Sequence, residues 1–235
     1  MNNSADDSEA IDIVVKAIDR WLGKGGLGYD YVKLGKLLAG IDTARFVEQN
    51  LPTAPIYRSR GELHSAAIRR RGVPGLVLEF GVASGKSVNF IAKLVPEERV
   101  HGFDSFEGLP ENWTATYRRG HFAQAIPEVS ENVELVVGLF DETLPGFLRE
   151  HPGPVSYLHV DCDLYSSTRT IFMHLGERIR PGTVIVFDEY FNYPSWREHE
   201  HKAFTEFVDE HRVQYEFIGA VRSGVQAAVL ITDRG

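Results

Sequence analysis

The chain has 235 residues, 43% of them hydrophobic, with 22 Gly and 11 Pro, which suits one well-buried α/β core with an appendage. A formal charge of -8 argues against a surface built to bind phosphate backbones, and the clusters Arg69-Arg70-Arg71 and Arg118-Arg119 are too short to reverse it. Cys162 is the only cysteine, no run approaches the ~18 apolar residues of a membrane span, and the acidic start MNNSADDSEA is no signal peptide. A cytoplasmic protein is expected, with neither nucleic acid nor membrane as partner.

The first nine residues are polar and read as disordered. Ile11, Val14, Val15, Ile18 and Leu22 then recur at helical spacing until the glycine-rich run from Gly23 to Gly28. A second helix is predicted over about Tyr31 to Leu51. Ser59 with Glu62 three residues on predicts a capping box for a third, ending near Gly72. From there strands are expected at Leu76 to Phe80, Val100 to Phe103, Val133 to Val137, Tyr157 to Val160, Thr183 to Phe187, Tyr215 to Ala220 and Gln226 to Thr232. Helical or loop segments separate the first five, which implies parallel crossovers, whereas the last two are close enough for a hairpin. The expected fold is α/β. It has a seven-stranded, mostly parallel, Rossmann-like sheet with an antiparallel C-terminal hairpin, in a domain over 60–235, preceded by a helical extension over 1–59. That extension is expected to cover the site or to form a homo-oligomer contact, with Tyr57 and Arg58 folding over the site. Its removal is expected to cost activity more than folding.

Two strands run out into carboxylates. HVDCDLYSST places Asp161 and Asp163 at the end of one, and VIVFDEY places Asp188 and Glu189 at the end of the next. An open α/β sheet builds a hard-cation site in this way at its carboxyl edge. The first predicted strand ends in VLEFGVASGKS, where Gly81, Ala83 and Gly85 let the backbone turn tightly against a ligand. Only three residues separate Gly81 from Gly85, one short of a Walker A loop, and Ala83 and Lys86 occupy glycine positions of a dinucleotide fingerprint. The remaining pattern, Glu79-x-Gly81-x-Ala83-x-Gly85, resembles the acidic glycine loop of class I S-adenosylmethionine-dependent methyltransferases; an ordinary strand-to-helix turn is the plainer reading. Asp104 ends the second strand about twenty residues later, placed either to accept both ribose hydroxyls of a nucleoside or to cap a turn. In GLFDETLP, Gly138 and Phe140 are placed beside an adenine, although core packing explains Phe140 equally well.

Taken in order, EFGVASGKS, FDSFEGLP, GLFDETLP, HVDCDLYSST and VIVFDEY resemble the macrocin O-methyltransferase family over about residues 55 to 210. The resemblance implies a bacterial, metal-dependent transfer of a methyl group from S-adenosylmethionine to a sugar hydroxyl. It implies cofactor contacts at Glu79, Gly81, Ser87, Asp104, Ser105 and Phe106, with Asp161 near both cofactor and metal. It implies Mg²⁺ on Asp161, Asp188 and Glu189, where Glu189 departs from the family's usual second Asp. YFNYPSWREHEHKAF is also unlike the best-known antibiotic-pathway members, which leaves the acceptor open among sugars, polyols and glycosylated natural products.

Methyl transfer to an alcohol needs the hydroxyl placed in line and deprotonated. Asp163 is the expected general base, with Asp161 able to exchange roles with it. His159 reads as a packed core histidine. His199 and His201 read as surface residues, or as an alternative base. Tyr190, Phe191, Tyr193 and Trp196 make either an aromatic wall for the acceptor or an anchor for their loop. Two other functions compete: a nucleotide-binding, Mg²⁺-dependent phosphotransfer enzyme, and a cofactor-binding scaffold without catalysis.

Overall fold

The computed structural model describes residues 16–235 apart from 22, 26, 27 and 115. Half of the first predicted helix, residues 11–15 and 22, and the polar N-terminal residues therefore lie outside the described residues. Residues 16–21 are helical, and a small hairpin pairs Lys24–Gly25 with Gly28–Tyr29. Helix α1 (Tyr31–Asn50) follows, capped by Asp30, whose Oδ1 accepts from the backbone N–H of Val32 and Lys33. Among the described residues, no helix is long and apolar enough to cross a membrane.

Helix α2 (Arg60–Arg70) begins as its sequence predicts. Ser59 Oγ accepts from Glu62 N, and Glu62 reaches back to Arg58 N. The sheet is built from β1 (Ile56–Tyr57), β2 (Leu76–Phe80), β3 (Val100–Asp104), β4 (Val133–Val137), β5 (Val155–Val160), β6 (Ile179–Phe187), β7 (Val213–Val221) and β8 (Ala227–Arg234). Helices α3 (Lys86–Leu94), α4 (Phe140–Glu150), α5 (Tyr165–Leu175) and α6 (Glu200–His211) lie between strands. The strand order is β1-β7-β8-β6-β5-β2-β3-β4, with β8 antiparallel to both neighbours. The sheet thus has eight strands where seven are predicted. The extra strand is β1, a two-residue parallel pairing on β7 that is too short to leave a hydrophobic period.

Alternation along the strands separates two cores. Leu78, Phe80, Leu158, Val160, Ile185 and Phe187 face α4, α5 and α6. Val77, Tyr157, Val184 and Val186 face α2 and α3. The first core also takes Phe46 of α1, which sits edge-on to Trp196 at 5.3 Å and to Phe217 at 5.9 Å.

These contacts revise the expectation for the N-terminal extension, because α1 and β1 are part of the folded core. Phe46→Ala is expected to cost about 3–5 kcal/mol, read as a lower urea midpoint at unchanged slope. Truncation before residue 60 should cost folding as well as activity.

Candidate active site

Strand register assembles the site. Phe80, Val160 and Phe187 end β2, β5 and β6 side by side, so Gly81, Asp161 and Asp188 emerge in one row at the carboxyl edge. Backbone hydrogen bonds hold the row, from Asp161 N to Phe80 O at 2.9 Å and from Asp188 N to Val160 O at 2.8 Å. Gly81 has φ +93, and a Cβ there would lie 1.7 Å from the Asp161 carbonyl oxygen. Only glycine lets the two strand ends approach this closely.

A cavity of about 390 Å³ opens above this row. Its wall includes Gly81, Ala83, Asp104, Ser105, Gly138, Phe140, Asp161 and Asp163 from the predicted site. Cys162 and Phe122 also line it. Asp104 is held rigidly: Oδ2 accepts from Val82 N and Ala83 N at 2.9 and 2.8 Å, and Oδ1 accepts from Phe106 N at 2.7 Å. Phe140 stands edge-on to Phe80 at 5.0 Å.

Other predicted residues lie behind the wall. Glu79 is fully buried, accepting from Ser87 Oγ at 2.9 Å and from His159 Nδ1 at 3.0 Å, so both it and Ser87 brace the glycine loop. Phe106 is buried beside the loop. Tyr57 lies on β1, five strands from β2 in the sheet order, with its ring packed over Gly219. The structure therefore places it away from the cavity, because β1 pairs at the opposite sheet edge. None of the described residues 16–60 lines the cavity; the segment after β3 does, through Ser105, Gly108, Leu109, Pro110 and Phe122.

Five carboxyl side chains gather at the strand ends. Asp188 is buried, 3.1 Å from Arg60 Nη1, and accepts from Gln226 Nε2 at 3.2 Å. Asp163 and Glu189 are close enough to share a proton between their carboxyls. Glu200 accepts from Glu189 N at 3.0 Å. Burial pushes the Asp161, Asp163, Glu189 and Glu200 carboxyls above their usual range, and mutual repulsion adds to it. Glu189 Oε2 and Glu200 Oε1 are buried without a hydrogen-bond partner. Asp163 takes a left-handed backbone with φ +62 and caps no helix; the N-cap of α5 is Leu164.

Sequence reasoning misses three contributors here. His159, read as a core histidine, is indeed buried, but it also groups with Asp161 and Asp188 within 4.8 Å. Burial works against its charge, yet the Glu79 contact lifts its pKa to about 9. Arg60 and Glu200 reach the cluster from helix starts, and no local motif marks them. His201 packs edge-on to Trp196 at 4.7 Å, and Tyr190, Phe191 and Trp196 are core residues around Phe46, so this segment anchors its loop.

Burial lowers the His201 and His101 pKa values to about 4, with nearby Arg197 helping at His201 and Glu134 partly opposing at His101. Each folded-state value lies below the unfolded 6.5, so the unfolded chain takes up protons first. In metal-free protein this stability is present above pH 6.5 and is lost as pH falls towards 4. Thermal melts across that window should show a falling midpoint, and His201→Phe should flatten the slope.

Residues 78–190 match a family model described as a methyltransferase domain. The solved structure of a calicheamicin methyltransferase matches with a TM-score of 0.59 and 21% identity, covering 98% of this chain and 94% of that one. The O-methyltransferase NovP matches with a TM-score of 0.58 and 22% identity, covering 74% and 79%. The fold is therefore that of these solved methyltransferases, and the stretch that matches the methyltransferase-domain model, residues 78–190, is the one that holds the motifs from Glu79 to Tyr190. A curated relative from Streptomyces olivaceus, 8-demethyl-8-(2,3-dimethoxy-alpha-L-rhamnosyl)-tetracenomycin-C 4'-O-methyltransferase, is 30% identical over 147 residues, or 51% of this chain. That match spans about half of the relative's own length, 54%.

Proposed function

We propose that the protein transfers a methyl group from S-adenosylmethionine to a hydroxyl of a sugar, polyol or glycosylated natural product, assisted by a Mg²⁺-like ion. The observation that carries this reading is the row of Gly81, Asp161 and Asp188, where a nucleoside-sized cavity meets carboxyl groups in excess of their cations. The curated relative's name places its methyl group on a rhamnosyl sugar. A mycinamycin-pathway methyltransferase of the same fold, TM-score 0.50, was solved with Mg and S-adenosylhomocysteine.

The residues fit both groups. Asp104, fixed by three backbone N–H donors, keeps lone pairs for the ribose hydroxyls, while Gly138 and Phe140 flank the adenine position. Asp161 and Asp188 stand with His159 in one close group that offers two carboxylates to a hard divalent ion, and the buried, unpartnered Glu189 oxygen, one residue beyond Asp188, would be the third oxygen donor. Such an ion, when bound, orients neighbouring hydroxyls and lowers their pKa. Asp163 takes the hydroxyl proton, and its upward-shifted pKa brings it towards the working pH that suits a general base.

The acceptor side is the segment after β3. Tyr117 stacks with Trp113 at 5.2 Å and with Phe122 at 5.6 Å, and Phe122 reaches the cavity wall. Such faces suit the apolar face of a sugar ring. Tyr117→Ala is expected to raise the acceptor KM about tenfold, roughly the 0.5–1.5 kcal/mol of a ring contact, with the cofactor KM unchanged. Exposed Val32, Leu38 and Ile41 on α1 support self-association as a homo-oligomer.

A phosphotransfer reading is less favoured, because the Asp104 carboxylate already occupies the loop N–H groups of Val82 and Ala83 that a phosphate would need. Labelled S-adenosylmethionine incubated with rhamnosides, sugar nucleotides and catechols, with Mg²⁺ or chelator, tests the proposal. Mg²⁺-dependent labelling of a sugar supports it; labelling of catechols alone overturns the sugar assignment.

A further inference from the structure

Away from the cavity, at the outer edge of the sheet, three metal-ligating side chains converge from separate elements. They are His101 on β3, Glu134 on the edge strand β4 and His151 just past the end of α4. One ligand atom from each lies within 4.8 Å of the others. His101 is only 4% exposed, and its Nδ1 is buried without a hydrogen-bond partner, 3.7 Å from Glu134 Oε2. A buried imidazole nitrogen left in this state is costly unless something binds it.

We propose that His101, Glu134 and His151 form a separate metal site, a two-nitrogen, one-oxygen centre for a borderline divalent cation such as Zn²⁺. Around a tetrahedral zinc with bonds of about 2.0–2.2 Å, ligand atoms stand roughly 3.4 Å apart. The His101 to Glu134 distance is already close to this, and the half-exposed Glu134 side chain is free to close the rest. The supporting geometry is in place. Phe147 stacks on the His151 ring at 4.2 Å and meets His101 edge-on at 4.8 Å, while His151 Nδ1 bonds Phe147 O at 3.0 Å. That bond fixes the ring and leaves Nε2 as the ligand nitrogen, an arrangement common to metal-bound histidines.

His101 precedes Asp104 by three residues, about 10 Å along an extended strand, so the centre is distinct from the carboxylate row. A cation there ties edge strand β4 and the end of α4 to β3. Its fourth position stays open to water or to a donor from another molecule.

The test is a Co²⁺ titration of chelator-treated, full-length protein in excess Mg²⁺, which occupies oxygen-rich sites. One equivalent should bind with the intense visible bands of a four-coordinate centre, and Zn²⁺ should displace it and raise the melting midpoint. His151→Gln and Glu134→Gln, both partly exposed positions, should weaken binding by about 100-fold, beyond the 10-fold seen for the mildest outer-shell losses. Asp161→Asn should leave the spectrum unchanged. The proposal is overturned if no four-coordinate spectrum forms, if Co²⁺ saturates only in the millimolar range, or if the bands survive His151→Gln and vanish in Asp161→Asn.

Discussion

Asp163→Asn is expected to lower kcat by about 10²–10⁴-fold while raising the melting midpoint by a few degrees. The two effects have one cause. Asp163 stands beside Asp161 and Glu189, and burial with repulsion from neighbouring carboxyls destabilises the charged forms of these three. Replacing it with a neutral side chain removes one repelling carboxyl, and asparagine tolerates the left-handed backbone at φ +62. The proton acceptor is lost with it. Initial rates and differential scanning calorimetry on the same preparations read both effects. An enzyme that stays fast, or one that is slow only because it is less stable, contradicts the base assignment.

Gly81→Ala should be the most damaging single substitution at the nucleoside end. The new methyl group would meet the Asp161 carbonyl oxygen at 1.7 Å on a backbone with φ +93, so the β2 and β5 ends must separate. The expected loss is roughly 4 kcal/mol or more, a fall of about 10 °C or more, together with loss of cofactor binding. Gly120→Ala supplies the control. It shares a positive φ of +80, but its Cβ would meet nothing within 4 Å, so only backbone strain of about 1–2 kcal/mol remains. Equal losses in the two variants would show that strand approach at Gly81 does not matter.

The parts of this molecule legible in its sequence are those written in local pattern. Strands β2 and β4 have the predicted bounds, because each is a short apolar run stopped by glycine or a polar turn. The carboxylate pairs stand out for the same reason, as charges at the ends of runs that have none. What stays hidden depends on register and long-range packing. Glu79 and His159 are cross-strand partners 80 residues apart, visible only once β2 and β5 are aligned. Arg60 meets Asp188 from the first turn of α2. The aromatic segment from Tyr190 to Trp196 looks free to face a ligand until Phe46, from a helix far earlier in the chain, is packed into it. The aromatic surface at the cavity comes instead from Phe140 and from Phe122, the latter on a segment without regular periodicity and stacked on Tyr117 behind it.

The cavity between Asp104 and Asp161 is proposed to take the S-adenosylmethionine nucleoside rather than a nucleotide phosphate. Titration calorimetry of S-adenosylhomocysteine and, separately, ATP into chelator-treated protein, each with and without Mg²⁺, tests it most directly. The predicted result is one-to-one binding of S-adenosylhomocysteine, weakened by Asp104→Asn, and no heat from ATP under either condition. Binding of ATP alone, or of neither compound to folded protein, would contradict the assignment of the glycine loop and the methyl-transfer chemistry built on it.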